Sequence, residues 1–159
     1  MKVFTEVAEV QKTEKIETKK YMSFDGKLFG DEKECKDYES ALAKVNIIAL
    51  TTSSDCKIVN EFDLYNEYAG SEEYYYLVAK VTESTKAPLE MVYKSFNSDE
   101  SAQLRFKKTL EENEKLVFDL GYLPYFFRDD TISDFEIFCY HGTVEEFKEE
   151  HLKGFDLLD

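Results

Sequence analysis

A thiol and an imidazole lie close together near the C-terminal end of the sequence, at Cys139 and His141. Residues two apart in a strand share a face, so this pair could act as a thiolate–imidazole dyad or supply two ligands to a metal ion. No third residue stands at a spacing that would orient the pair. We therefore interpret Cys139 as a buried thiol beside a structural histidine, and we predict that the chain is not an enzyme. A small enzyme centred on these two residues is the alternative.

Sequence motifs for other kinds of chemistry are missing. The chain has no Gly-rich phosphate loop and no G-x-S-x-G, H-E-x-x-H or C-x-x-C segment, so we predict no metal and no cofactor. The widely spaced cysteines Cys35, Cys56 and Cys139 are odd in number, which is typical of reduced thiols.

No signal-peptide pattern and no run of about 18 apolar residues occurs. We expect a cytoplasmic location and no membrane partner.

Acidic residues give the strongest signal in the sequence. The chain carries 34 Asp and Glu against 20 Lys and Arg, a formal net charge of −14. Residues 129–159 contain ten acids and two lysines, a net of −8, whereas residues 1–20 contain five lysines and four glutamates. An anionic surface repels nucleic acid and attracts proteins that bind nucleic acid. We predict a basic nucleic-acid-binding protein as the partner, with no direct binding of nucleic acid.

The last predicted helix places its acids on one side, with Val144 and Phe147 on the other. Carboxylates one helical turn apart lie about 6 Å from each other, similar to the spacing of phosphates along a nucleic-acid strand. They could therefore occupy Lys and Arg sites that normally hold a nucleic-acid backbone, and the alternative is an ordinary solvated face. The candidate residues are Glu145, Glu146, Glu149 and Glu150, with Asp129, Asp130 and Asp134 before the helix.

Three consecutive tyrosines form a second candidate surface. Tyr74, Tyr75 and Tyr76 fall in a predicted strand, where Tyr75 must point away from the face of its two neighbours. An exposed tyrosine is a common interface anchor because it offers a large contact area at little entropic cost. Packing of these rings in the core is the alternative for each of them.

The elements that position these residues suggest an α+β fold, a single compact domain over residues 1–159 with an antiparallel sheet and about three helices. Residues 1–30 are predicted to be extended, with a hairpin at Asp25-Gly26. Asp31 is predicted to cap a helix. The apolar face of that helix would be Cys35, Tyr38, Leu42 and Val45.

Further along, residues 56–65 and 74–81 are predicted to be paired strands, and residues 84–96 fit either a helix or an edge strand. A helix is predicted from Asn97 or Ser98 to Leu120, closed by Gly121. A strand over residues 132–140 follows. The last helix would begin with a capping pair, Thr143 and Glu146, and would stop near residue 154.

One stretch resembles a known sequence pattern. Tyr21-Met22-Ser23-Phe24-Asp25-Gly26-Lys27-Leu28-Phe29, followed by residues 31–39, is similar to Y-x-x-x-D-G-x-x-F…E-x-x-C/A-x-x-Y-E, a pattern of many small phage-encoded proteins. The stretch covers about 20 of the 159 residues. This resemblance implies a hairpin followed by a helix, within a protein that acts in a host bacterial cell.

In size and charge the chain also resembles the anti-CRISPR proteins that inhibit type II Cas9 nucleases. That resemblance implies a non-enzymatic inhibitor that occupies a DNA-binding surface or the HNH nuclease domain and so blocks DNA cleavage. The group has no common fold or motif, so it assigns no functional residue to this sequence. The alternative is a phage accessory module that binds another host protein through exposed tyrosines.

Overall fold

In a computed structural model, the protein is described over residues 1–9, 15–60, 75–121 and 139–151. The described elements are β1 (Lys2–Glu9), β2 (Lys15–Met22), β3 (Leu28–Phe29), α1 (Glu32–Thr51), β4 (Cys56–Asn60), β5 (Tyr75–Lys80), α2 (Glu83–Phe96), α3 (Glu100–Glu112), β6 (Lys115–Gly121), β7 (Cys139–Thr143) and α4 (Val144–His151). Their mixture of helices with antiparallel strands confirms the predicted α+β class.

The strands form two sheets rather than one. The first has the order β1-β2-β3 and the second the order β4-β5-β6-β7, and every neighbouring pair is antiparallel. The predicted hairpin is present: Gly26 adopts a φ of 92°, and the turn brings Tyr21 opposite Phe29. Gly suits this turn because it has no Cβ to oppose a positive φ.

Helices cover both faces of the second sheet. On one face, α1, α2 and α3 contribute buried apolar side chains to a large core with the sheet, among them Leu50, Leu89 and Phe106. On the other face, Val144 and Phe147 of α4 form a smaller core with the sheet. Because both faces are covered, the central strands β5 and β6 are apolar at nearly every position.

Local capping explains where several helices begin. Asp31 caps α1 by accepting a hydrogen bond of 3.0 Å from the backbone N–H of Glu34, as predicted. The ambiguous residues 84–96 are helical, and α2 begins where the N–H of Thr82 donates to the side-chain oxygen of Thr85 at 2.8 Å. Each cap satisfies a backbone group that the helix itself leaves without a partner.

The helix predicted from Asn97 or Ser98 to Leu120 is wrong at both ends. Asp99 is the N-cap of α3, and the helix stops at Glu112. Residues 115–121 form β6 instead. Its apolar residues Leu116, Val117, Phe118 and Leu120 are buried on both faces of the strand, and such a short apolar segment fits a strand or a buried helix equally well by periodicity.

The predicted apolar face of α1 is also partly wrong. Val45 is 63% exposed, while the buried positions of the helix are Cys35, Ala43, Ile47 and Leu50. The helix continues to Thr51. Contact with the second sheet through Ile47 and Leu50 therefore sets the orientation of the helix.

Candidate interaction surface on helix α4

Helix α4 begins with the predicted capping box. Glu146 Oε2 accepts hydrogen bonds from the Thr143 backbone N–H at 2.8 Å and from the Thr143 hydroxyl at 3.0 Å. In return, the N–H of Glu146 donates to Thr143 Oγ1 at 3.2 Å. This exchange fixes the direction in which α4 leaves β7.

A glycine that the sequence analysis did not single out makes the capping box possible. Gly142 is buried and has a φ of 143°, and a Cβ built there would stand 2.5 Å from Glu146 Oε2. Any other residue would therefore strain the backbone and displace the capping carboxylate. The signal available in the sequence was a glycine directly before a Thr-x-x-Glu segment.

These hydrogen bonds also change the acidity of Glu146. The backbone N–H of Thr143 first, and then its hydroxyl, hold the pKa of the carboxyl below its usual range, and His141 adds to this effect. A lowered pKa means that folding favours the ionised form.

We expect Glu146→Gln to be destabilising at neutral pH and less so in acid. A group with a lowered folded pKa stabilises the fold above its unfolded pKa, and this contribution disappears as the pH falls through the folded value. The difference in unfolding free energy between wild type and Glu146→Gln, measured by urea denaturation, should shrink between about pH 5 and pH 3. A difference that stays constant over this range would contradict an ionised cap.

The apolar side of α4 anchors the helix firmly to the sheet. Phe147 is fully buried, and its ring lies 5.0 Å from the ring of Tyr76 and 4.8 Å, edge to face, from His141. His141 is skipped in the pairing of β6 with β7, because Val117 faces Gly142 while Phe118 faces Tyr140. This bulge turns the imidazole towards α4.

His141 lies next to Glu150, one of the candidate acidic residues. Its Nε2 atom lies 3.0 Å from Glu150 Oε2. The side chain of Cys139 is not among those that the structure describes, so no geometry links the two residues of the predicted pair. Within the described ranges, no group of three His, Cys, Asp or Glu side chains could hold a metal ion.

The four candidate glutamates of α4 are all exposed but differ in role. Glu146 caps the helix and Glu150 contacts His141. The side chains of Glu145 and Glu149 form no ion pair or hydrogen bond with any described residue. They are one helical turn apart, so their carboxylates project from the same side of α4. The surface available to a partner therefore centres on Glu145 and Glu149.

The other candidate residues contribute less to this surface. Asp129, Asp130, Asp134 and Tyr74 lie outside the described residues. Tyr75 is half-buried against the large core, and Tyr76 is only 7% exposed, in the small core under α4. The two rings do point to opposite faces, as the strand pattern predicted. Tyr76 is therefore a core residue and not an exposed anchor.

None of the protein-family models, curated proteins or solved structures compared with this chain matches it. Function has to be inferred from the surface itself. Among the described residues, no helix has the length and apolarity needed to cross a membrane.

Proposed function

We propose that the chain is a non-enzymatic inhibitor that binds a basic, nucleic-acid-binding nuclease of host defence through the acidic side of α4. Because the chain resembles anti-CRISPR proteins in size and charge, the proposed partner is a type II Cas9 nuclease. The observation that carries the proposal is the exposed pair Glu145 and Glu149, which has no partner among the described residues.

The anchoring of α4 supports this role. A fully buried Phe147 and the Thr143–Glu146 capping box hold the helix on the sheet, so the two carboxylates are presented from a fixed support. A rigid array of charges loses little conformational entropy when it meets a complementary basic surface. Such a contact would compete with DNA for the same Lys and Arg side chains, or would hold back the docking of the HNH domain that precedes cleavage.

We expect Glu145→Lys/Glu149→Lys to weaken binding to a purified Cas9–guide RNA complex by at least about tenfold. Affinity would be measured by biolayer interferometry, and inhibition by cleavage of a matched DNA target. Wild-type binding should weaken as salt rises from low to high concentration, because the attraction is between exposed charges.

A matched control is Glu34→Lys/Asp37→Lys on α1, which changes the net charge by the same amount. Both residues are exposed and form no ion pair with a described residue. Each pair also includes one acid from the first turn of its helix. Equal losses in the two double variants would show that total charge matters rather than the surface of α4. Unchanged affinity in the α4 variant would overturn the proposal.

A further inference from the structure

We infer that the free edge of β1 is a self-association site, at which β1 pairs antiparallel with β1 of a second copy of this chain. Among the strands that the structure describes, β1 is an end strand of the first sheet and pairs only with β2. An end strand leaves a row of backbone N–H and C=O groups without strand partners, and another strand can satisfy them. The inference concerns a surface separate from α4 and does not depend on the proposed function.

The two faces of β1 have different surroundings. Lys2 and Met22 line a cleft of about 610 Å³ between the first sheet and the helices α2 and α3. The opposite face carries Val3, Thr5 and Val7, and all three are exposed, with 56% of Val3 and 52% of Val7 accessible. On this face β1 therefore presents uncharged β-branched side chains along its edge, next to Tyr21, Lys19 and Glu17 of β2, and β1 has no proline or glycine to interrupt it.

Only one pairing of β1 with itself suits this sequence. Directly opposite residues in an antiparallel pair have side chains on the same face of the sheet, and side chains alternate between faces along a strand. When β1 pairs symmetrically with itself, the symmetry axis must therefore pass beside one residue, which meets its own copy, and not between two consecutive residues. A pair centred on Glu6 brings two carboxylates together, and a pair centred on Phe4 aligns only residues 2–6 of the strand. Centring on Thr5 aligns residues 2–8.

The Thr5-centred pair is self-complementary on the face of Val3, Thr5 and Val7. It places Val3 of each copy opposite Val7 of the other, and Thr5 opposite Thr5. Pairs of β-branched residues across antiparallel strands are stabilising, and each of these pairs occurs on a strand already held in place by β2.

Charge also favours this edge as the place where two copies meet. The chain has a net charge of −14, so most of its surface opposes self-association. Residues 1–20 are an exception, since five lysines there exceed four glutamates. A contact along β1 therefore involves a segment without net negative charge, and added salt should strengthen the pair by screening the repulsion between the two acidic chains. This dependence is opposite to that expected for binding through α4.

Sedimentation equilibrium of the untagged full chain provides the test. Wild type should behave as a dimer of the 18.6 kDa chain. In Val3→Lys/Val7→Lys, like charges would face each other across the pair, and self-association should weaken at least about tenfold. In Val3→Glu/Val7→Lys, opposite charges would face each other, and self-association should stay close to that of wild type. Circular dichroism checks that both variants fold.

A cysteine experiment tests the register. Under mild oxidation, Thr5→Cys should give a disulfide-linked dimer at least about ten times faster than Phe4→Cys, because only position 5 meets its own copy. A monomeric wild type, equal self-association of the two charge variants, or faster cross-linking through position 4 would each overturn the inference. Glu145→Lys/Glu149→Lys should leave the dimer intact, which separates this test from that of the proposed function.

Discussion

Phe147→Ala should lower the free energy of unfolding by about 3–5 kcal/mol, the largest stability effect that we expect on α4. The side chain is fully buried between the helix and the sheet, in contact with Tyr76 and His141. Its removal leaves a cavity under a helix of eight residues that has few other apolar contacts. Urea denaturation followed by circular dichroism would measure the change.

Two controls make this result specific. Phe147→Leu keeps most of the apolar volume and should cost about 1–1.5 kcal/mol. Val45→Ala truncates a side chain that is 63% exposed, and its effect should stay within about 0.5 kcal/mol. If Phe147→Ala cost less than about 1 kcal/mol, the small core would not be what holds α4 on the sheet.

The second large effect is expected at a buried hydroxyl. Thr85 is 1% exposed, and its Oγ1 atom donates to the carbonyl oxygen of Lys80 at 2.6 Å and accepts from the N–H of Thr82 at 2.8 Å. Thr85→Val keeps the shape but leaves both backbone groups without this partner, which should cost about 2–4 kcal/mol. The expected observation is a lower urea midpoint at an unchanged denaturant slope.

Thr85→Ser separates the hydroxyl from the methyl group. It keeps both hydrogen bonds and should cost only about 1 kcal/mol, the value of one buried methyl group. A larger loss in the Ser variant than in the Val variant would mean that the methyl group, and not the hydrogen-bonded hydroxyl, secures the junction of β5 with α2.

Local signals in the sequence predicted the features that local physics determines. The turn at Asp25-Gly26, the cap at Asp31 and the pair Thr143–Glu146 all depend on residues within a few positions of one another. Their backbone geometry follows from side-chain hydrogen bonds and from the conformational freedom of glycine.

Features that depend on contacts between residues far apart in the chain could not be predicted from local sequence signals. The sequence of residues 115–121 does not itself distinguish a strand buried on both faces from a helix. Their pairing with β5 and β7 makes them a strand. The exposure of Val45 likewise depends on which side of α1 meets the sheet. The division of the strands into two sheets is another long-range result, and a single sheet was the natural expectation.

The candidate surface was predictable in part. Helical periodicity placed four glutamates on one side of α4, which the structure bears out, since all four are exposed. It did not separate Glu146 and Glu150, whose side chains form a hydrogen bond or an ion pair, from Glu145 and Glu149, whose side chains form neither with a described residue. That distinction requires the positions of Thr143 and His141 in space.

The two sheets differ in how much of the chain they need before they can form. The described strands of the first sheet all lie within residues 2–29, so they can pair as soon as that short segment is made. The second joins strands that extend from Cys56 to Thr143, so it cannot be completed until the C-terminal third of the chain has been made. Since contacts between nearby residues form faster than distant ones, the N-terminal hairpin should be an early folding unit and the acidic helix a late addition.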